Sequence, residues 1–183
     1  GGLPEWLVKH LAVTQGWGAE GIRSVSVGSP DASISAMRTH QVDGMMTGNT
    51  VGLRLEKEGV ARIVVHIGDY AKNYHTAFVF ARKDFVAQSP DVVERYLKGM
   101  FATIAFIRTH KDKSVDIASK AMHLDPDILN RVYDIEVGAF STDGHFDPKA
   151  VELVTQSFID MGSLTEKPRD DQILTRKFVP VKF

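Results

Sequence analysis

Hydrophobic positions in the first half of the chain follow two alternating spacings. An apolar residue every three or four positions is typical of an amphipathic helix, and a short apolar run is typical of a strand. Helical spacing covers residues 3–16, 29–40 and 50–58. Runs of strand length lie at 22–27, 42–46, 61–67 and 75–81. Strands separated by helices of about ten residues predict βα units, and so an α/β fold with a mainly parallel sheet flanked by helices.

After residue 82 the pattern is helical only. The segment 89–110 places seven apolar side chains on one stripe of a long helix: Val93, Tyr96, Leu97, Met100, Phe101, Ile104 and Ile107. Further helices are predicted at 114–122, 125–139 and 147–161, with a last short one within 169–179. The predicted division of the chain is into residues 1–76, which contain most of the sheet, and residues 77–183, a crossover strand followed by the all-helical C-terminal part.

Four prolines mark predicted helix starts. Each follows a serine or an aspartate: Ser29-Pro30, Ser89-Pro90, Asp125-Pro126 and Asp147-Pro148. Proline in the first turn loses no helical hydrogen bond, and the side chain before it can cap the unpaired N–H groups. These sites are expected to begin helices.

Charge and composition exclude several classes of function. The 183 residues include 22 Lys plus Arg and 23 Asp plus Glu, so no basic surface for nucleic acid or an anionic membrane is expected. No cysteine is present, which excludes disulfides, thiolate nucleophiles and cysteine-based zinc sites. The chain opens as GGLPEW without an initiator Met, and we expect it to be processed or truncated.

Three short segments are candidates for ligand binding. Parallel sheets bind ligands at the carboxyl ends of their strands, beside helix N-termini that favour anions. The segments GGLP, TGNT and GDY occupy such places. The predicted ligand-binding residues are Gly2, Leu3, Thr47, Gly48, Asn49, Asp69 and Tyr70. Three alternatives remain open: the leading glycines as a cloning remnant, Asn49 as a plain helix cap, and Gly68-Asp69 as an ordinary turn.

Signals for catalysis are weak. The seven histidines are scattered, without an HxxxH or HExxH spacing, and the sequence contains no G-x-S-x-G, P-loop or G-x-G-x-x-G motif. We therefore predict no catalytic residue, no metal site and no cofactor.

Several segments together resemble a known family. They read GIRSVSVG, ISAMRTHQVDGMMTG and RLEKEGVARIVVHIGD in the first half, and HTAFVFARKDF with the long helix and STDGHFDPKAVELVTQSFIDMGSL in the second. This order is similar to the second lobe of periplasmic solute-binding proteins of the nitrate, sulfonate and taurine type, which include binders of thiamine-pyrimidine precursors. The resemblance covers nearly the whole chain.

The resemblance implies a type II periplasmic binding fold, in which two α/β lobes close on a small-molecule ligand and deliver it to an ABC permease in the membrane. It implies a periplasmic or extracellular membrane-anchored protein that binds no nucleic acid and is not an enzyme. This chain would supply the second lobe, incomplete at its N-terminus, and the first lobe of the same protein would be missing.

One departure from the family pattern concerns the ligand. Relatives often carry an aromatic residue, an acid and a proline where this chain has Gly48, Asn49 and Thr50. Loss of the acid removes a partner for a cation, so a neutral or anionic ligand is expected. Two other functions stay open: the effector-sensing domain of a LysR-like transcription regulator, which would need a helix-turn-helix, and a thiamine-precursor synthase-like enzyme, which would need a poised lysine or histidine.

Overall fold

The structure, a computed structural model, describes residues 2–72 and 74–182, and it is helical, with 57% helix. Nine α-helices lie in the described part: α1 Leu3–Thr14, α2 Pro30–Arg38, α3 Asn49–Lys57, α4 Lys83–Gln88, α5 Pro90–Thr109, α6 Lys111–Met122, α7 Pro126–Glu136, α8 Pro148–Asp160 and α9 Asp170–Ile173. Short 3₁₀ turns lie at Ile67–Asp69 and Val137–Ala139.

The predicted parallel sheet is wrong. The four segments predicted as strands are 22–27, 42–46, 61–67 and 75–81. Their backbone is irregular, and the described residues form no strand. Side chains expected on buried strand faces are exposed, since Val64 is 76% and Phe80 86% exposed. A sheet requires a neighbouring strand about 4.8 Å away that exchanges backbone hydrogen bonds, and a local apolar run does not specify that neighbour. The predicted fold class, α/β and type II periplasmic-binding-protein-like, is therefore wrong, and the described residues form a helical architecture.

The helix starts predicted at proline are confirmed. Helices α2, α5, α7 and α8 begin at Pro30, Pro90, Pro126 and Pro148. The Ser29 hydroxyl accepts a hydrogen bond from the Ala32 N–H at 3.2 Å, and the Asp125 carboxylate accepts one from the Asp127 N–H at 2.8 Å. Ser89 forms no such side-chain cap with a described residue. Proline thus specifies where these helices begin, and the preceding side chain adds a cap in some of them.

The chain forms two compact units, each built from separate stretches of sequence. The first unit comprises Gly1–Tyr74 and Pro148–Lys167, and the second unit comprises His75–Asp147 and Pro168–Phe183. The division into lobes at 1–76 and 77–183 stays a prediction. No helix in the described part is long and apolar enough to cross a bilayer.

The core of the second unit is centred on α5. Leu97 and Phe101 are four residues apart, so they share one helix face, and both are buried together with Val181. Around them pack Val93, Met100, Ile104, Phe178 and Val179. Tyr96, predicted on the same buried stripe, is 59% exposed. The stripe predicted from the sequence was therefore wider than the face that α5 buries.

The first unit buries α3 on two sides while leaving its beginning accessible. Leu53 and Leu55 are both 1% exposed, and residues two positions apart point to different sides of a helix. Arg38 at the end of α2 forms an ion pair with Glu58, which follows α3. Helix α1 packs separately against α8. The packing of α3 fixes the direction of its N-terminal end.

Candidate functional site

The beginning of α3 carries three of the predicted ligand-binding residues. The helix starts at Asn49, and Gly48 is the N-cap residue in extended backbone, with φ −70° and ψ 157°. The Gly48 carbonyl accepts hydrogen bonds from the N–H groups of Val51 and Gly52, both at 3.1 Å. Thr47 and Gly48 are exposed, and Asn49 is half-buried. The alternative in which Asn49 caps this helix is off by one residue, because Asn49 already occupies the first helical position.

Space and charge at this end of α3 suit a ligand that carries no positive charge. A Cβ atom placed on Gly48 would meet nothing within 4 Å, so the backbone is open on that side. The first N–H groups of a helix have no partner within the helix, and the helix dipole makes this end electropositive. The first turn of α3, all of it described, holds no acidic residue. The site therefore favours a hydrogen-bond acceptor or an anion over a cation.

Ile63, in the segment that leads to Asp69 and Tyr70, lies beside α3. The Glu56 carboxylate accepts a hydrogen bond from the Ile63 N–H at 3.3 Å. A Cβ atom placed on Gly52 would lie 3.5 Å from the Ile63 side chain and 3.9 Å from the Thr47 methyl group. Thr47 and Ile63 therefore lie on the same side of α3.

Asp69 and Tyr70 stand at the end of that segment. Asp69 closes the 3₁₀ turn Ile67–Asp69, and Tyr70 follows it. Both residues are exposed. Neither side chain forms a hydrogen bond or an ion pair with another described residue, so both are available to a ligand. A carboxylate and a hydroxyl in this position can accept hydrogen bonds from N–H groups of a solute.

Gly2 and Leu3 lie at the beginning of α1, a helix that packs against α8. Gly2 is the N-cap residue with φ 114°, a conformation that favours glycine, and its carbonyl accepts a hydrogen bond from the Trp6 N–H at 3.1 Å. Glu5 lies in the first turn and pairs with Lys9 at 2.9 Å. The Glu5 carboxylate already lies at the positive end of the α1 dipole. The beginning of α1 therefore favours an anionic ligand less than the beginning of α3 does.

Sequence reasoning missed an aromatic cluster in the first unit. The Trp6 ring stacks on His10 with centroids 4.8 Å apart and lies 5.8 Å from the Tyr74 ring. The Trp6 indole N–H donates to the Asp160 carboxylate at 2.9 Å, and the Tyr74 hydroxyl lies 2.8 Å from the Ser157 hydroxyl. The i, i+4 spacing of Trp6 and His10 was a readable signal for stacking. The contacts to α8 were not readable, because they depend on which helices pack together.

The pKa of Asp160 is held below its usual range, chiefly by the Trp6 indole N–H and secondly by the Gln156 amide, which donates at 2.7 Å. A depressed pKa in the folded state adds stability above the unfolded pKa of about 4, and this stability is lost as the pH falls through the folded pKa. We expect Asp160→Asn to be less stable than wild type at pH 7 and to approach it as the pH falls below about 4.

Urea unfolding of the two proteins across this pH range measures the effect. Glu152→Gln, on the same helix, removes a carboxylate that pairs with Lys167 instead of with an indole. Because Glu152→Gln retains Asp160, this control should lose stability on acidification as the wild type does. If wild type and Asp160→Asn lose stability in parallel on acidification, the ionised Asp160 carboxylate has no such role.

The second unit holds a buried polar atom that the sequence did not single out. The Nε2 atom of His75 is buried and has no hydrogen-bond partner among the described residues. The rings of Phe78 and Phe146 meet the imidazole edge-on, with centroids 5.8 Å and 6.4 Å away. The Arg176 guanidinium lies 5.9 Å from the Phe146 ring centroid. Nothing in the scattered histidines of the sequence distinguished this one from the other six.

The greater part of the chain matches a known protein family. Residues 1–114, more than half of the chain, match the family model described as NMT1/THI5 like. The matched range contains all seven predicted ligand-binding residues. No curated protein and no solved structure matches the chain. Over residues 1–114 the resemblance predicted from the sequence motifs is confirmed: the chain belongs to the NMT1/THI5-like family, a family of periplasmic solute-binding proteins of the nitrate, sulfonate and thiamine-precursor group.

Proposed function

We propose that this protein is the substrate-binding component of an ABC importer. It captures a small neutral or anionic solute of the sulfonate, nitrate, carboxylate or pyrimidine class, closes around it and presents it to a permease in the membrane. It acts in the periplasm, or outside the cell attached to the membrane, and it releases the solute unchanged. Membership of the NMT1/THI5-like family supports a solute-binding role in general.

The open N-terminal end of α3 is the observation that carries the choice of solute class. Gly48 leaves the backbone accessible, and the first turn contributes no negative charge. The N–H groups of this turn would receive a sulfonate, nitrate, carboxylate or ring acceptor of the solute, and the Thr47 hydroxyl would complete the contact. Asp69 and Tyr70 would bind an amino group or a ring of the same solute.

Asn49→Asp is expected to weaken binding of an anionic solute about tenfold or more, since the new carboxylate repels the anion at close range. The same change favours the helix itself, because a negative charge at a helix N-terminus is stabilising. Loss of binding would therefore not reflect loss of folding. Calorimetric titration with nitrate, a sulfonate, a carboxylate and an aminopyrimidine measures the affinities of both proteins.

Gln41→Glu is the matched control, because it adds the same charge to an exposed position of the first unit outside the predicted site. This variant should bind the solute nearly as wild type does. Equal affinities of Asn49→Asp and wild type for an anionic solute would count against the site at α3. Binding of none of the four compounds would count against the proposed solute classes.

Recovery of the solute after incubation separates binding from catalysis. An importer component returns the compound with its mass unchanged, whereas a synthase-like member of the family would convert it. Chemical conversion by the purified protein would contradict the proposal.

A further inference from the structure

A small pocket in the second unit has no part in the proposed solute site. Its volume is about 180 Å³, and it lies between α5 and the segment 177–182, here called the C-terminal strap. Three lysines line it: Lys98 of α5, and Lys177 and Lys182 of the strap. Pockets for drug-sized ligands measure roughly 300–1,000 Å³, so this one suits a small ion or a single functional group.

All three lysines are exposed. None of their ammonium groups forms an ion pair or a hydrogen bond with a described residue. Lys177 has a cation–π contact with the Phe178 ring, whose centroid lies 5.4 Å from its Nζ atom. At least ten ion pairs join other charged residues of the described part, so most charged side chains there are not left as these three lysines are.

Among the described residues that line the pocket, one is acidic, Glu94. Glu94 lies four positions before Lys98 on α5, a spacing at which helical ion pairs form. Asp91 and Arg95 form such a pair on the same helix at 3.4 Å, yet Glu94 and Lys98 do not. Among the described lining residues, three lysines and one glutamate leave two positive charges, although the whole chain carries a net charge of −1.

The backbone that presents two of the lysines is held in place. The Val181 N–H donates to the Asp143 carbonyl at 2.8 Å, and Val181 is buried in the core of the second unit. Phe178 and Val179 pack against the same core. The strap is thus anchored between Lys177 and Lys182. This anchoring lowers the entropic cost of ordering the strap when the two lysines bind one ligand.

We propose that this pocket binds a small, doubly charged oxyanion, phosphate or sulfate, from solution. An ammonium group offers three donors, and a tetrahedral oxyanion presents several acceptors to more than one lysine at once. The size of the pocket, its positive charge and its lack of internal pairing all favour this class over a cation or an apolar ligand. The proposal concerns the second unit and does not depend on the solute site at α3.

Calorimetric titration of the full chain with inorganic phosphate, and then sulfate, at constant ionic strength tests the proposal. Saturable binding at one site is expected. Lys98→Gln, Lys177→Gln and Lys182→Gln should each weaken binding about fivefold, and Glu94→Gln should tighten it about two- to fivefold. Lys113→Gln is the control, because it removes the same charge from an exposed residue of the same unit that does not line the pocket; less than about a twofold change is expected.

Three outcomes would overturn the proposal. The first is the absence of phosphate and sulfate binding by the wild-type protein. The second is an equal weakening by Lys113→Gln and by the pocket variants, since that would indicate diffuse attraction to overall charge. The third is cosedimentation with phosphatidylcholine vesicles that contain phosphatidic acid, without binding of inorganic phosphate, since the pocket would then bind lipid headgroups. Asn49→Asp should leave phosphate binding unchanged, which keeps this test separate from that of the solute site.

Discussion

Replacement of Phe101 by alanine should lower the free energy of unfolding by about 3–5 kcal/mol, the usual cost of removing a buried aromatic ring. Phe101 is 4% exposed and lies at the centre of the second-unit core with Leu97 and Val181. The loss combines the transfer of the ring out of an apolar environment with the cavity that its removal leaves. Urea unfolding followed by circular dichroism gives the midpoint and slope for the two proteins.

Tyr96→Ala provides the matched comparison, because it removes an aromatic ring from the same helix at an exposed position. We expect it to change the free energy of unfolding by no more than about 0.5 kcal/mol. Similar losses for the two variants would show that the ring of Phe101 is not a core element.

Gly144→Ala should destabilise the protein by about 2–5 kcal/mol for two separate reasons. Gly144 has φ 76°, where an L-residue with a side chain is strained by about 1–2 kcal/mol. A Cβ atom there would also lie 2.8 Å from the Phe101 ring and 3.1 Å from the Val179 side chain, and overpacking of this kind costs about 1–3 kcal/mol. Thermal or urea unfolding measures the sum.

Two further variants separate the strain from the overpacking. Gly162→Ala shares the positive φ but places its Cβ atom in open space, so only the conformational part is expected. Phe101→Leu shortens the side chain that the new methyl group meets, so it should recover part of the Gly144→Ala loss in a double-mutant cycle. Additive effects of Phe101→Leu and Gly144→Ala would show that the two positions do not meet.

The sequence predicted the helices better than the packing between them. Proline after serine or aspartate located Pro30 and Pro126 as helix starts, because both the proline ring and the cap act within one turn. The apolar runs around Val64 and Phe80 were misread as strands, since pairing depends on a distant segment that periodicity does not reveal. The start of a helix depends on residues that are close in sequence, whereas a sheet depends on pairing between segments that are distant in sequence.

The same limit applies to the candidate site. The positions of Thr47 and Gly48 at the beginning of a helix were readable from the turn residues and the pattern that follows. The unpaired lysines around the pocket were not, because Lys98 and Lys182 are brought together by the packing of the C-terminal strap on α5. The order of residues does not predict which charged groups lack an ion-pair partner among the described residues, and it does not predict that His75 Nε2 is buried.

The hydrogen bond between Trp6 and Asp160 also has a consequence for synthesis on the ribosome, because it joins residues 154 positions apart. At about 5–20 residues per second, roughly 8–30 seconds pass between the emergence of the indole and that of its acceptor. During this interval α1 has no α8 against which to bury its aromatic face. Helix α1 therefore stays without this packing partner until α8 has been made, and the first unit can close only after residues 75–147 of the second unit have been synthesised.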